Sequence, residues 1–546
     1  MKKIRKIMTA VLLIAAGTTF TSCIFDDSSK TKTWTISRNE NYTGDWYIVK
    51  LNATHSDIAS EDTGTFSTSS SRSVTTETLA ETEETENFLP ESDIDYMFHI
   101  NNRKAFDEIY ASLSKDSNSR SASTSYKAEI NDEGYKVGDT RSFYLYYYTD
   151  ATKADNAVVE QTAELIVQGE KCNVWFIDNA KDYVSLSDYP ETANLQSIAD
   201  KFDKLYEYET ELLGTNRYTQ KAYDYFIDPV KKINIVIADI GDAAGGDTTN
   251  GTLGGYFSPT DCYKKGTKYG NGTEITTNGT QVLFMDSYFY KNHPANTFST
   301  IAHEFCHMLN YCQKVLSQNS GGTIETWLTE IMAMVTEDYF SEFLGVDESA
   351  TPTASRLPTF NCRYMAGFRN HWSDEYALLS YANAYAFGAY LVRSYCDEDL
   401  TFLKNLARNE GLDEDAVTLA LQSIDVDKTF YDVFTLFPLV LLNAGYETSD
   451  TSVPTLYRTA GDTSNSDGMY FHKIDLNSFY LYKSTDSTEL VNVRPVLYEL
   501  SENSALGSYG FSIHKVDQSI SDVYYTNNTD GDIGIIYCGN TSTSEE

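Results

Sequence analysis

The residues best suited to chemistry form the run His303-Glu304-Phe305-Cys306-His307. On a helix the two histidines lie one turn apart on the same face, so both imidazoles can reach one metal ion. Glu304 then lies beside the metal, where it can accept a proton from water. The chain has only eight histidines in 546 residues, so the spacing rarely arises by chance. The run predicts a zinc site, one ion per chain, with Glu304 as general base.

A catalytic zinc needs a third protein ligand and an open position for water. The next histidine, His371, is too distant in sequence for the short extension that supplies a third histidine elsewhere. Glu330 lies 23 residues after His307, in a second helical run that follows the turn at Gly321-Gly322. An isolated glutamate is more often a solvated helix residue, but beside the histidine pair we interpret Glu330 as the third ligand.

Two helices must position these ligands, and the surrounding pattern supplies them. From Thr297 to about Ala444 the apolar spacing is helical, whereas residues 174–177 and 233–237 are typical of buried strands. Strands first and helices second predict an α+β domain over residues 171–445, with a mixed sheet lobe and a helical lobe. Glu337 lies two turns beyond Glu330, where it can hold a ligand histidine in one tautomer or be a surface carboxylate.

The flanking regions have a different composition. Residues 91–170 and 446–546 contain short aromatic runs, which predict a β-rich region and a separate β-sandwich-like domain. Residues 23–90 are dominated by Ser, Thr, Asp and Glu and are interpreted as a tether, although residues 33–51 are compatible with a strand or two.

The N-terminus predicts export. Basic residues precede a short apolar run, and residues 1–22 end just before Cys23, the position at which a bacterial lipoprotein is lipidated. An ordinary signal peptide is the alternative. We therefore expect an extracytoplasmic protein at the cell envelope or surface, which contacts the membrane only through its lipid. The net charge of −37 argues against binding to nucleic acid.

Longer segments carry a family resemblance. The runs around His303 and Glu330, together with 171–175, 202–206 and 254–257, resemble the hyicolysin family of zinc peptidases, within the gluzincins that bind zinc through His, His and Glu. The resemblance covers about residues 171–444 and implies a protein or peptide substrate. Thr329 and Ile331 flank the ligand glutamate where the family commonly has Asn and Gly, which affects the expected cleft more than the metal ligands.

The resemblance also implies a residue that stabilises the oxyanion or protonates the leaving amine. Tyr381 and Tyr385 share a helix face downstream of Glu330, and Tyr381 resembles the catalytic tyrosine position of related aminopeptidases. With 41 tyrosines in the chain, a packing role is the alternative. His371 is the second choice.

Two further expectations concern binding. Gly254, Gly255 and Tyr256 are predicted to form an edge strand that pairs with an extended substrate, because glycine permits close backbone approach. Calcium is a weaker expectation, from the acidic loops at 239–247 and 528–532.

Three functions fit these observations. The first is an exported, lipid-anchored zinc metallopeptidase, most simply an endopeptidase. The second is a pseudopeptidase that keeps the fold as a surface-binding lipoprotein. The third treats the tyrosine-rich β regions as adhesive modules and the peptidase as secondary.

Overall fold

A computed structural model describes much of the chain. The described residues are 32–37, 46–68, 128–148, 156–177, 192–218, 223–240, 254–269, 271–287, 290, 294–317, 323–372, 377–446, 456, 460–461, 467–483, 486–527 and 533–539. The predicted signal peptide and Cys23 lie outside these ranges, as does most of each acidic loop considered for calcium.

A six-stranded mixed sheet, the main sheet, forms one lobe. Its strands are β4 (Thr140–Tyr148), β5 (Asn156–Gln168), β6 (Cys172–Phe176), β7 (Ile233–Ala238), β8 (Gly255–Phe257) and β9 (Val282–Asp286). Their spatial order is β4-β5-β6-β7-β9-β8. The central strands β6, β7 and β9 are parallel, and all six residues of β7 are buried, as expected for a strand covered on both faces.

Helices pack on one face of the main sheet and continue into a helical lobe. They are α1 (Thr192–Leu213), α2 (Pro294–Asn310), α3 (Thr326–Leu344), α4 (Pro352–Arg363), α5 (Ala377–Tyr395), α6 (Thr401–Arg408), α7 (Glu414–Gln422) and α8 (Phe430–Tyr446). The predicted α+β class, with a mixed sheet and a helical lobe, is confirmed. None of the described helices is both long and apolar enough to cross a bilayer.

Apolar side chains fix the positions of the first two helices. Phe202 and Tyr206, one turn apart on α1, both pack on the ring of Phe305 in α2, at centroid distances of 5.0 and 5.6 Å. Phe305 is fully buried. The face of α2 opposite the two histidines is therefore anchored in the core.

The two ends of the chain share a second structure, which we call the terminal β unit. It contains β1 (Lys32–Ser37), β2 (Trp46–Asn52), β3 (Thr65–Thr68), β12 (Phe511–Val516), β13 (Asp522–Asn527) and β14 (Ile533–Gly539). One sheet has the order β1-β13-β3 and the other β12-β2-β14. N-terminal strands thus alternate with C-terminal ones. A separate hairpin is formed by β10 (Tyr480–Lys483) and β11 (Asp486–Asn492).

This pairing differs from the predicted organisation in two places. The alternative left open for residues 33–51, a strand or two, agrees with β1 and with β2, which is buried along its whole length between two C-terminal strands. The interpretation of residues 23–90 as a tether is wrong at 65–68, where β3 pairs with β13. The C-terminal strands are likewise not a domain of their own. In addition, β4 and β5 belong to the main sheet, so the boundary predicted near residue 170 falls inside it.

Candidate active site

Helix α2 presents the two predicted imidazoles side by side. The rings of His303 and His307 lie 4.6 Å apart between centroids, nearly perpendicular to each other, and both side chains are buried. Potential ligand atoms of His303, Glu304 and His307 all lie within 4.8 Å of one another. The one-turn spacing thus places all three residues around a single point.

Helix α3 brings Glu330 to the same point. Its Oε2 lies 3.4 Å from Nε2 of His303 and its Oε1 lies 3.5 Å from Nε2 of His307. The Glu330 side chain is fully buried. The interpretation of Glu330 as a solvated helix residue is therefore wrong.

These donors fit zinc. Two imidazole nitrogens and a carboxylate are a common ligand set for catalytic zinc, with bonds of about 2.0–2.2 Å. A tetrahedron with such bonds has edges of about 3.4 Å, and the observed spacings between donors are 3.4 and 3.5 Å. The donor set and its spacing are thus suited to the predicted metal.

Two side chains of α3 and one of α2 hold the imidazoles from outside. Nδ1 of His303 donates to Oε1 of Glu337, whose Oε2 accepts a hydrogen bond of 2.8 Å from the Ser299 hydroxyl. Nδ1 of His307 and the Thr329 hydroxyl share a hydrogen bond of 2.9 Å, in which Nδ1 is the donor when Nε2 binds a metal. With protons on both Nδ1 atoms, each Nε2 presents its lone pair toward Glu330. In the sequence, Thr329 was identified only as a departure from the family pattern. In the structure it is the hydrogen-bond partner of His307.

Glu304 is oriented by the sheet. Its Oε2 accepts a hydrogen bond of 2.8 Å from the backbone N–H of Phe257 in β8, and its side chain is 1% exposed. This partner could not be found from sequence, because a backbone amide leaves no residue-type signal. This hydrogen bond connects Glu304, the predicted base, directly to the edge strand.

Strand β8 lies at the edge of the main sheet among the described residues and pairs with β9 on one side. Gly254 C=O accepts from Asp286 N–H on the β9 side, whereas Phe257 N–H points away to Glu304. Because hydrogen-bonding direction alternates along a strand, the polar backbone groups of Gly255 also point away from β9. A Cβ at Gly255 would lie 2.7 Å from Phe284 O, so glycine is required there.

The side chain of Tyr256 points away from this edge. It is fully buried, stacks on Phe284 at 4.8 Å, and its hydroxyl accepts the N–H of Tyr146 at 2.8 Å. By the same alternation its backbone polar groups face β9, so neither the side chain nor the backbone of this predicted substrate-binding residue is directed at a peptide.

The downstream tyrosines have different surroundings. Tyr381 is fully buried, with Trp372 and the Arg356 guanidinium against its ring at 5.0 and 5.2 Å. Tyr385 donates to Asp338 at 2.9 Å, a carboxylate that also pairs with Arg393 at 2.8 Å. Tyr385 therefore belongs to a buried structural network.

His371, the second choice for the same role, faces the terminal β unit. Its Nε2 lies 2.9 Å from Asp57 Oδ2, and its backbone has a positive φ of 63°. Its described ion pair is thus with the N-terminal segment that joins β2 to β3.

Comparison with known proteins now identifies the family. The family model for Peptidase M30 matches residues 151–450, which is more than half of the chain. The chain belongs to the Peptidase M30 family. The predicted resemblance to the hyicolysin family is thereby confirmed.

Two further similarities accompany the M30 match. The chain is 26% identical over 313 residues to the neutral metalloprotease ShpI of Staphylococcus hyicus, covering 56% of this chain and 63% of that protein. The match therefore spans less than two thirds of the relative. A crystal structure of a mutant M1 zinc metallopeptidase from Deinococcus radiodurans has 10% identity and a TM-score of 0.29, covering 55% of this chain and 61% of that one. At that TM-score the likeness carries no argument.

One buried carboxyl group near the candidate site, that of Glu209, was not predicted from the sequence. Glu209 of α1 is fully buried, and within the described residues neither of its oxygens has a hydrogen-bond partner. Burial raises its pKa well above the usual value, and the charge of His303 only partly opposes this. Glu209 follows Tyr206 by three residues in an apolar stripe, so its burial could have been predicted from this spacing.

Proposed function

We propose that the protein is an exported, lipid-anchored zinc endopeptidase. The observation that carries this proposal is the convergence of His303, His307 and Glu330 beside an oriented Glu304. A protein that kept the fold for binding alone would have no need of a carboxylate at the position of the base. Calcium has no support and is not part of the proposal.

The chemistry follows from the residues. Zn²⁺ held by His303, His307 and Glu330 would lower the pKa of water to about 7 and polarise the peptide carbonyl. Glu304 would accept the water proton and deliver it to the leaving amine. The hydrogen bond from Phe257 to Oε2 would fix the orientation of the Glu304 carboxylate for both steps. Glu337 and Thr329 would keep the two imidazoles in the tautomer that binds metal.

A substrate would lie extended along β8. The backbone N–H and C=O of Gly255, and the C=O of Phe257, are directed away from β9, so a peptide could add as a further strand regardless of its sequence. Main-chain recognition of this kind suits an endopeptidase, since it requires no chain terminus.

Tyr381 is our candidate for stabilising the oxyanion or protonating the amine. Its support is its family position and its place on α5, which packs along the ligand helix α3. Tyr385 is a poorer candidate because its hydroxyl is already bonded to Asp338.

The lipid anchor rests on sequence. We propose that Cys23 is lipidated after removal of residues 1–22, which places the peptidase at the cell envelope or surface. Mass spectrometry of the membrane fraction should find lipid on Cys23, and Cys23→Ala should move the protein to the soluble extracytoplasmic fraction. Recovery of Cys23→Ala in the membrane fraction would contradict the anchor.

Elemental analysis tests the metal site. We expect about one zinc per chain in the wild type, less in Glu330→Gln, and none in the variant with both histidines changed to alanine. Stoichiometric zinc in the double variant would show that the ligand assignment is wrong.

Modified substrates test the cleft. A cleaved peptide and its analogues, each carrying one N-methyl group, would be compared at fixed side-chain sequence. We expect an increase in KM when the methyl group replaces the hydrogen directed at Gly255 C=O or Phe257 C=O. Equal kinetics for every analogue would remove β8 from the cleft.

A further inference from the structure

A C-terminal loop, residues 507–510, inserts into the helical lobe. Ser508 C=O accepts hydrogen bonds from the N–H groups of Phe368 and Arg369, at 3.1 and 3.3 Å, and Gly507 N–H donates to Met365 C=O at 2.9 Å. A Cβ at Gly507 would lie 1.7 Å from Ala366 O. The two backbones are therefore in direct contact, which only glycine permits.

Tyr509 carries this contact into the core. Its side chain is 1% exposed, and its backbone has a positive φ of 60°, which is uncommon for a residue other than glycine. Its hydroxyl donates to Glu414 Oε1. The rings packed around it are those of Trp327 at 6.3 Å, Phe368 at 5.4 Å, Phe430 at 4.9 Å and Phe434 at 5.5 Å.

Ion pairs extend the assembly to the start of α3. Arg369 Nη2 lies 3.4 Å from Glu325 Oε1, and Arg369 Nε lies 3.5 Å from Glu414 Oε1. Glu325 is the residue immediately before α3. The same Glu414 oxygen therefore joins Tyr509 to Arg369, and Arg369 joins both to the ligand helix.

The ligand helix thus begins inside this assembly. Glu325 and Trp327 both contact it, and Glu330 follows Trp327 by three residues, less than one turn. The histidines lie on α2, which is anchored instead by Phe305 against α1. The two helices also contact each other through Glu337 and Thr329, but the start of α3 has a support of its own in this assembly.

We propose that Tyr509 is a positioning residue for the metal centre: the C-terminal loop sets the start of α3 and thereby the place of Glu330 relative to His303 and His307. The inference rests on the proposed function. It makes the terminal β unit part of the metallopeptidase rather than an adhesive module, because β12 directly follows the loop.

Metal affinity of the full-length protein tests this proposal. Tyr509→Ala, Tyr509→Phe and wild type would be titrated with zinc against a chelator, well below their unfolding temperatures. We expect zinc to bind about 10–100-fold more weakly to Tyr509→Ala, as for other residues that orient metal ligands. Tyr509→Phe keeps the ring contacts and should be affected less. With Co²⁺ as probe, the visible spectrum of Tyr509→Ala should change, because it reports ligand geometry.

Tyr218→Ala is the matched control. It also removes a buried tyrosine with a hydroxyl bond, 2.7 Å to Ile227 C=O, but in the segment that follows α1. It should lose stability while keeping the wild-type zinc affinity and Co²⁺ spectrum. An equal loss of zinc affinity in Tyr218→Ala and Tyr509→Ala would overturn the proposal.

If Tyr509→Ala does not fold, Arg369→Gln tests whether the C-terminal loop positions Glu330. It breaks both ion pairs at a partly exposed side chain and should weaken zinc binding several-fold. Wild-type zinc affinity and Co²⁺ spectrum in every folded variant would show that the loop does not position Glu330. If the wild type itself binds no zinc, the proposed function fails as well, so the two failures are distinguishable.

Discussion

The backbone N–H of Phe257 donates a hydrogen bond of 2.8 Å to Oε2 of Glu304. The same short strand to which we assign substrate binding, at Gly255, thus orients the proposed base. Because β8 is held by β9 on one side, a peptide bound on the other side would lie next to Glu304. In the proposed function, substrate binding and proton transfer would therefore take place at adjacent positions along one strand.

The outer partners of the imidazoles should control metal affinity unequally. Glu337→Gln replaces a carboxylate acceptor with a neutral one, and we expect zinc to bind about 10–100-fold more weakly. Thr329→Val removes a neutral hydroxyl acceptor and should have the smaller effect. Glu342→Gln, at an exposed position of the same helix, is the control. A larger loss of zinc affinity in Thr329→Val than in Glu337→Gln would contradict this ranking.

Asp261 should make stability fall with rising pH. Burial raises its pKa to about 7, against the opposing effect of hydrogen bonds from Asn278. The unfolded chain loses this proton near pH 4, so the folded state is the better proton binder up to about pH 7, and stability is lost over that window. Between pH 5 and 8 we expect the free energy of unfolding to fall by about 2–3 kcal/mol more in wild type than in Asp261→Asn. Parallel curves in urea titrations would disprove this.

We expect Glu209 to contribute no charge to the site at pH 7. Burial raises the pKa of Glu209 well above its usual value, so we expect the protonated form, which Glu209→Gln matches in size and in neutrality. We expect zinc affinity and activity at pH 7 within about twofold of wild type, measured by chelator competition and peptide hydrolysis. A tenfold loss of zinc affinity would show that Glu209 is ionised or reaches the metal.

Two tyrosines on one helix should separate catalysis from stability. Tyr381→Phe should lower kcat with zinc content unchanged, and by less than removal of the base, since metal would still polarise the carbonyl. Tyr385→Phe breaks the bond to Asp338 and should lower the melting temperature instead. If Tyr381→Phe lowers only the melting temperature, its role is packing.

The proposed metal ligands could be predicted from the sequence because residue type and local spacing mark each of them. His303 and His307 are one helical turn apart, and Glu330 lies in the next helix of a short helix pair. Gly254 and Gly255 likewise predicted an edge strand, because glycine permits close approach of another backbone. Such features depend on residue type and spacing within a few tens of residues.

The remaining features depend on distant pairing. Trp46 and Val516 are register partners in neighbouring strands, although they come from opposite ends of the chain. No local pattern selects that partner, so the sequence allowed a strand or two over residues 33–51 but did not predict what they pair with. The contact of Tyr509 with Trp327 and the bond from Phe257 to Glu304 were hidden for the same reason.

The most direct test of the zinc peptidase is the activity of Glu304→Gln. The variant should stay folded, since the amide oxygen can still accept the Phe257 N–H, and should keep one zinc because Glu304 is not a ligand. We expect zinc-loaded wild type to cleave an unfolded protein, to lose activity with a chelator and to regain it with zinc. Glu304→Gln with full zinc should be slower by about 10²–10⁴. Equal cleavage by wild type and Glu304→Gln, or none by zinc-loaded wild type, would contradict the account.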